Sequence, residues 1–93
     1  MPELVCEIWR DDDNGSTSAE QVSEHHDRVR NSVSPNSTLL HTYTARSSFE
    51  LFQKNNDWHG WGKWTAPPGV PEHFFTEEEA EEQRRYLAAR IVP

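Results

Sequence analysis

From Trp58 to Phe75 the chain runs Trp-His-Gly-Trp-Gly-Lys-Trp-Thr-Ala-Pro-Pro-Gly-Val-Pro-Glu-His-Phe-Phe, a stretch that suits neither helix nor sheet. Pro67, Pro68 and Pro71 lack backbone donors, and Gly60 and Gly62 weaken any regular conformation around them. Residues 58–75 therefore read as one long aromatic and proline-rich connection. Compact domains use such lengths sparingly and often for function. Regular structure has to lie on either side of it.

Beyond the connection there is room for one helix. Thr76 followed three residues later by Glu79 is a capping-box pair, and Phe75 with Ala80 makes a hydrophobic staple across the cap. Glu77, Glu78 and Glu79 suit the positive end of the helix dipole, with Arg84, Arg85 and Arg90 towards the negative end. Ala80, Leu87 and Ile91 form the expected buried stripe.

Before the connection, Leu4 to Arg10 alternates as a strand, with Leu4, Cys6 and Ile8 on a wholly apolar face. Asp11-Asp12-Asp13-Asn14-Gly15 is turn chemistry. A hairpin return through Ser16 to Gln21 would be polar and poor in β-formers, so a helix from about Ala19 to Val33 is expected instead. Ser18 and Gln21 would cap it. Ala19, Val22, His26, Val29 and Val33 would be its buried face, and Glu20, Glu24, Asp27 and Arg28 its solvated one. Pro35 stops it. Thr38 to Ala45 reads as a second strand, placing Leu39, His41, Tyr43 and Ala45 on one side. Ser47 and Glu50 then cap a helix reaching about Asn55, anchored by Phe49, Leu51 and Phe52.

The expected order is β-α-β-α-loop-α: an α+β fold in which a two- or three-stranded sheet packs with two to three helices. A helix between two strands points to a parallel crossover. Two strands alone are seldom stable. A third must lie in the hairpin return, in residues 63–75, or on a partner chain, and the last option makes a homodimer an open expectation. The 93 residues fit a single domain, 1–93.

Composition removes several functions. A formal net charge of -7 disfavours nucleic-acid backbones and anionic membranes and favours a basic partner. The single cysteine excludes an internal disulfide, and the N-terminal residues lack the pattern of a signal peptide, so a cytoplasmic protein is expected. Nothing approaches a membrane span.

Ala45-x-Ser47-x-x-Glu50-x-x-Gln53, running into Asp57-Trp58-His59-Gly60-Trp61, resembles small bacterial hypothetical proteins that lack an assigned function. The resemblance covers residues 45–61 and implies a bacterial, cytoplasmic, stand-alone domain. It brings no catalytic residue with it.

The leading candidate site is Trp58, His59, Trp61, Lys63 and Trp64, where glycines let the backbone bend while the rings form a wall. Such a wall stacks a planar ligand, holds a cation or anchors a partner. Equally, the rings could plug a thin core, since each buries about 150–250 Å². In an extended chain Trp58 and Trp64 would point one way and Trp61 the other. The alternative site is a pocket around His41, Tyr43 and His59, with Glu50 or Asp57 completing an acid/base set. The five histidines show no helical i, i+4 pair and no zinc pattern, so neither a metal nor another cofactor is expected. Cys6, within an apolar strand, reads as inert packing. Asp11 to Gly15 lacks calcium-loop spacing, and Pro68 with Pro71 stiffens the crossing. The expected function is a non-enzymatic interaction or regulatory module acting on a protein partner or small ligand. A small enzyme and an acidic nucleic-acid mimic are the alternatives.

Overall fold

The computed structural model describes residues 1–90. The fold is α+β, built from β1 (Leu4–Asp11), β2 (Thr17–Gln21), α1 (Glu24–Val33), β3 (Ser37–Ala45), α2 (Ser48–His59) and α3 (Glu77–Ala89). The sheet order is β2-β1-β3, and both pairings are antiparallel.

This departs from the expected order at one place, with large consequences. Residues 17–21 are not the start of a helix but the return strand of a hairpin. The turn decides it. The Gly15 N–H bonds the Asp11 carbonyl at 2.7 Å, Gly15 adopts a φ of 78°, and the Asp11 N–H meets the Ser16 carbonyl at 2.8 Å. Pairing with the strongly apolar β1 then overrides the weak β propensity of Thr-Ser-Ala-Glu-Gln. The third strand is thus supplied within the chain, and β1 meets β3 antiparallel rather than by a parallel crossover. The first helix is capped by Ser23, whose hydroxyl accepts from the His26 N–H, and not by Ser18 with Gln21.

The pleat sends Leu4, Cys6 and Ile8 to one face and Val5, Glu7 and Trp9 to the other. On the first face Leu4, Cys6, Ala45, Leu51, Phe75 and Ala80 form the core beneath α2, with Ala19 and Tyr43 against it. The Phe75–Ala80 staple closes this core, and the Thr76–Glu79 capping box forms in both directions. Leu87 is half-buried, and Ile91 lies outside the described residues. Cys6 is fully buried, and burial pushes its thiol up to about 12.

On the second face the expected pattern is inverted. Val29 is exposed and Val33 is 74% exposed, whereas Asp27 and Arg30 are the buried residues of α1. They belong to a charged cluster. Arg30 reaches Asp27 at 2.8 Å and Glu20 at 3.3 Å, and its guanidinium lies 3.6 Å above the Trp9 ring. Arg90 bonds Glu7 at 2.8 and 2.9 Å and Asp27 at 2.9 Å. The Tyr86 hydroxyl donates to Asp27, and the Trp9 indole donates to Glu7 at 3.0 Å. Here five charged groups occupy the place of a second apolar core.

The cluster sets a pH dependence. Burial alone would raise the Asp27 carboxyl, but the Tyr86 hydroxyl and the two guanidiniums outweigh it and hold the group below its ordinary range. Bonds from the Arg46 guanidinium hold Glu50 at about 2. A depressed carboxylate contributes stability that is complete above its unfolded pKa, roughly 4, and is lost as pH falls through the folded value. Burial raises Glu20, whose contribution runs the other way. The urea midpoint is expected to hold steady from pH 7 to about pH 5 and then fall steadily towards about pH 2. Asp27→Asn should flatten that fall. A midpoint unchanged between neutral pH and about pH 3 would contradict the paired state of these carboxylates.

Candidate functional site

Ser47 fixes the start of α2, accepting from the Glu50 N–H. The Glu50 carboxylate returns not to Ser47 but to the Arg46 N–H at 3.0 Å and the Arg46 guanidinium at 2.9 Å. The helix then runs one turn further than expected and takes in Trp58 and His59. Gly60 ends it in the left-handed conformation, with φ of 74°, as a C-terminal glycine commonly does. The chain reverses there: the Gly60 and Trp61 N–H groups both return to carbonyls in the last turn.

That reversal divides the tryptophans differently from an extended chain. Trp58 and Trp61 fall on one side of α2 and Trp64 on the other. Trp61 stacks on His59 with centroids 3.8 Å apart and planes 6° from parallel. His59 meets Trp58 edge-on at 4.9 Å. Trp58 stacks on His41 at 5.5 Å, and His41 on Tyr43 at 5.9 Å. One unbroken row of five rings therefore runs from β3 across the end of α2. It joins residues that the sequence had assigned to two separate sites. The two tryptophans are the exposed members of the row, and His59 between them is half-buried. Tyr43 and His41 are half-buried, Trp58 is 42% exposed and Trp61 is 61% exposed. Lys63 is exposed on the same loop. At the outer end the Thr17 hydroxyl lies 3.5 Å from His59 Nε2.

The inner end is structural. The Tyr43 hydroxyl donates to the Leu51 carbonyl at 2.8 Å, and burial, with a smaller effect from Cys6, pushes the phenol well above its usual range. Glu50 is engaged by Arg46 and Lys54, and Asp57 accepts from Gln53 at 2.9 Å. Among the described residues no hydrogen bond joins His41 or Tyr43 to Glu50 or Asp57.

Trp64 packs edge-on to Phe49 and stacked on Phe52, each at 5.1 Å. Sequence reasoning missed what holds it there. The Gln53 side chain accepts from the Trp64 N–H at 2.9 Å and donates to the Gly62 carbonyl at 3.2 Å, clamping the loop to the helix. A long polar side chain two turns before an irregular segment was the available signal. Further on, the connection docks beside the start of α2, with Phe74 bridging to Ser47 and Glu72 accepting from the Ser47 hydroxyl. Phe49, Trp64 and Phe74 there line a concavity of about 470 Å³, edged by Arg46 and Glu72. Trp64 is half-buried and stands outside the main core, so none of Trp58, Trp61 and Trp64 belongs to that core.

Among the described residues no three His, Cys, Asp or Glu side chains gather as metal ligands. Nor is any helix among them long and apolar enough to cross a membrane. Searches of protein-family models, of curated proteins and of solved structures return no match to this chain.

Proposed function

We propose that the protein is a non-enzymatic interaction module whose binding face is the outer half of the ring row, Trp58, His59 and Trp61, with Lys63 beside it. The observation that carries this reading is the exposure of Trp61 in a fold short of apolar residues. Only a third of the chain is hydrophobic, yet its largest side chain type stands in solvent at 61% exposure. A ring left out of so thin a core adds little to folding, while tryptophan is enriched where partners bind most strongly. The rings beneath it hold it flat, so little side-chain entropy is lost on binding. We place the module in the cytoplasm, in keeping with the lone buried thiol of Cys6.

Trp61→Ala separates folding from binding. The variant should lose less than about 1 kcal/mol of stability, as surface substitutions do. Selection of a random-peptide display library on the wild-type protein, counter-selected on Trp61→Ala, should enrich peptides that only the wild type retains. Unfolding of the variant, or enrichment that ignores Trp61, would defeat the reading.

A further inference from the structure

The acidic hairpin sits at the same end of the molecule as the exposed rings. Thr17, within reach of His59, is paired with Arg10 across the sheet, and the next residues along β1 and its turn are Asp11, Asp12 and Asp13. Asp57, next in sequence to Trp58, adds an exposed carboxylate on the last turn of α2, where it accepts from Gln53 at 2.9 Å. These segments carry four aspartates against two cations, Arg10 and Lys63, and Arg10 is already bonded to Asp12 at 2.9 Å. Asp12 and Asp13 are exposed, and among the described residues the Asp13 carboxylate bonds only the neutral amide of Asn36.

From this placement, and resting on the interaction reading above, we infer that the occupant of the ring face is an arginine-bearing basic segment of a partner protein. Trp61 offers an open indole face, on which a guanidinium stacks both as a cation and as a plane. Lysine, a compact and strongly hydrated point charge, lacks the planar half of that interaction. The aspartates of the adjoining hairpin and the net charge of -7 draw basic chains in and repel acidic ones. The fold makes the same contact internally, where the Arg30 guanidinium covers the Trp9 ring at 3.6 Å.

The test is a titration of the whole chain with a disordered synthetic peptide whose arginines are spaced by glycine and serine, and with its all-lysine counterpart. Binding is read by tryptophan fluorescence and by the indole N–H resonances. The arginine peptide should bind saturably and about threefold or more tighter than the lysine peptide. Trp61→Ala should weaken it about tenfold. Trp61→Leu, which keeps apolar bulk without the π face, should weaken it nearly as much. Asp13→Asn with Asp57→Asn should weaken it severalfold and reduce its salt dependence. Equal affinity for the two peptides, indifference to both Trp61 variants, or no binding at low salt would overturn the inference. Should the display selection return Trp61-dependent peptides that are not basic, this inference fails and the interaction reading stands. No Trp61-dependent peptide of any kind defeats both.

Discussion

Arg90→Met is expected to destabilise the domain by about 3–5 kcal/mol, the usual cost of removing one partner from a buried charge cluster. Arg90 holds the Glu7 carboxylate with two bonds and Asp27 with two more, and its side chain is 8% exposed. Among the described residues Asp27 retains Arg30 and Tyr86 after the substitution, but Glu7 keeps only the Trp9 indole. Glu7 is 4% exposed, so water cannot replace the lost guanidinium. For a domain of this size the loss corresponds to a fall in Tm on the order of 20 °C, a large part of its whole stability. Adding Glu7→Gln should recover about 1–2 kcal/mol, because it removes the stranded charge and can still accept from Trp9. Urea denaturation of the two single variants and the double variant measures both effects. A cost below about 1 kcal/mol for Arg90→Met would put the cluster in the class of exposed ion pairs and refute its buried state.

That cluster is also where the sequence was least legible. Alternation along Leu4–Arg10, the Ser47 and Thr76 caps, the Phe75–Ala80 staple and the α+β class could all be read from local pattern, because each depends on neighbours within one helical turn or one pleat. The second face could not. Val29 and Val33 share a helical spacing that ordinarily marks a buried stripe, and Asp27 and Arg30 ordinarily mark the solvated one. The partners that reverse this, Glu7 and Arg90, come from opposite ends of the chain, and no local rule connects them. In sequence β2 reads first as helix, with the hairpin return as one of three places for a third strand, for a related reason. Its residues are weak β-formers, and what fixes them is the turn geometry at Gly15 together with the pairing surface of β1. At the site, the aromatic residues and the glycines that redirect the chain were visible in sequence, but their division was not. Assigning Trp58 and His59 to helix rather than loop moves Trp61 to their side and Trp64 to the other. Only then do His41 and Tyr43 join the same row.

Gln83→Leu should cost about 2–4 kcal/mol even though it replaces a polar side chain in the interior by an apolar one of similar size. β2 ends at Gln21, leaving the backbone of Val5 in β1 without a full partner strand. Gln83, from α3, takes that place. Its amide oxygen accepts from the Val5 N–H at 2.8 Å, and its amide nitrogen donates to the Val5 carbonyl at 2.9 Å and the Val22 carbonyl at 3.0 Å. The Val5 carbonyl also accepts from the Val22 N–H at 2.9 Å, so it survives the substitution. The Val5 N–H and the Val22 carbonyl do not, and Gln83 is only 8% exposed. Each buried group left unpaired costs about 1–3 kcal/mol, more than the added apolar burial returns. Gln83→Glu isolates the donor half of the contact. An ionised carboxylate there would still accept from Val5 but would face two carbonyls, so its folded pKa must lie above its unfolded value. Its stability deficit should therefore grow as pH rises through that folded pKa and shrink in acid, opposite in sign to the acid sensitivity set by Asp27 and Glu50. Hydrogen exchange at Val5 reads the same contact directly, since its amide should lose protection in Gln83→Leu and keep it in Gln83→Glu. A leucine variant as stable as the wild type, with Val5 still protected, would mean that α3 is held to the sheet by its apolar face alone.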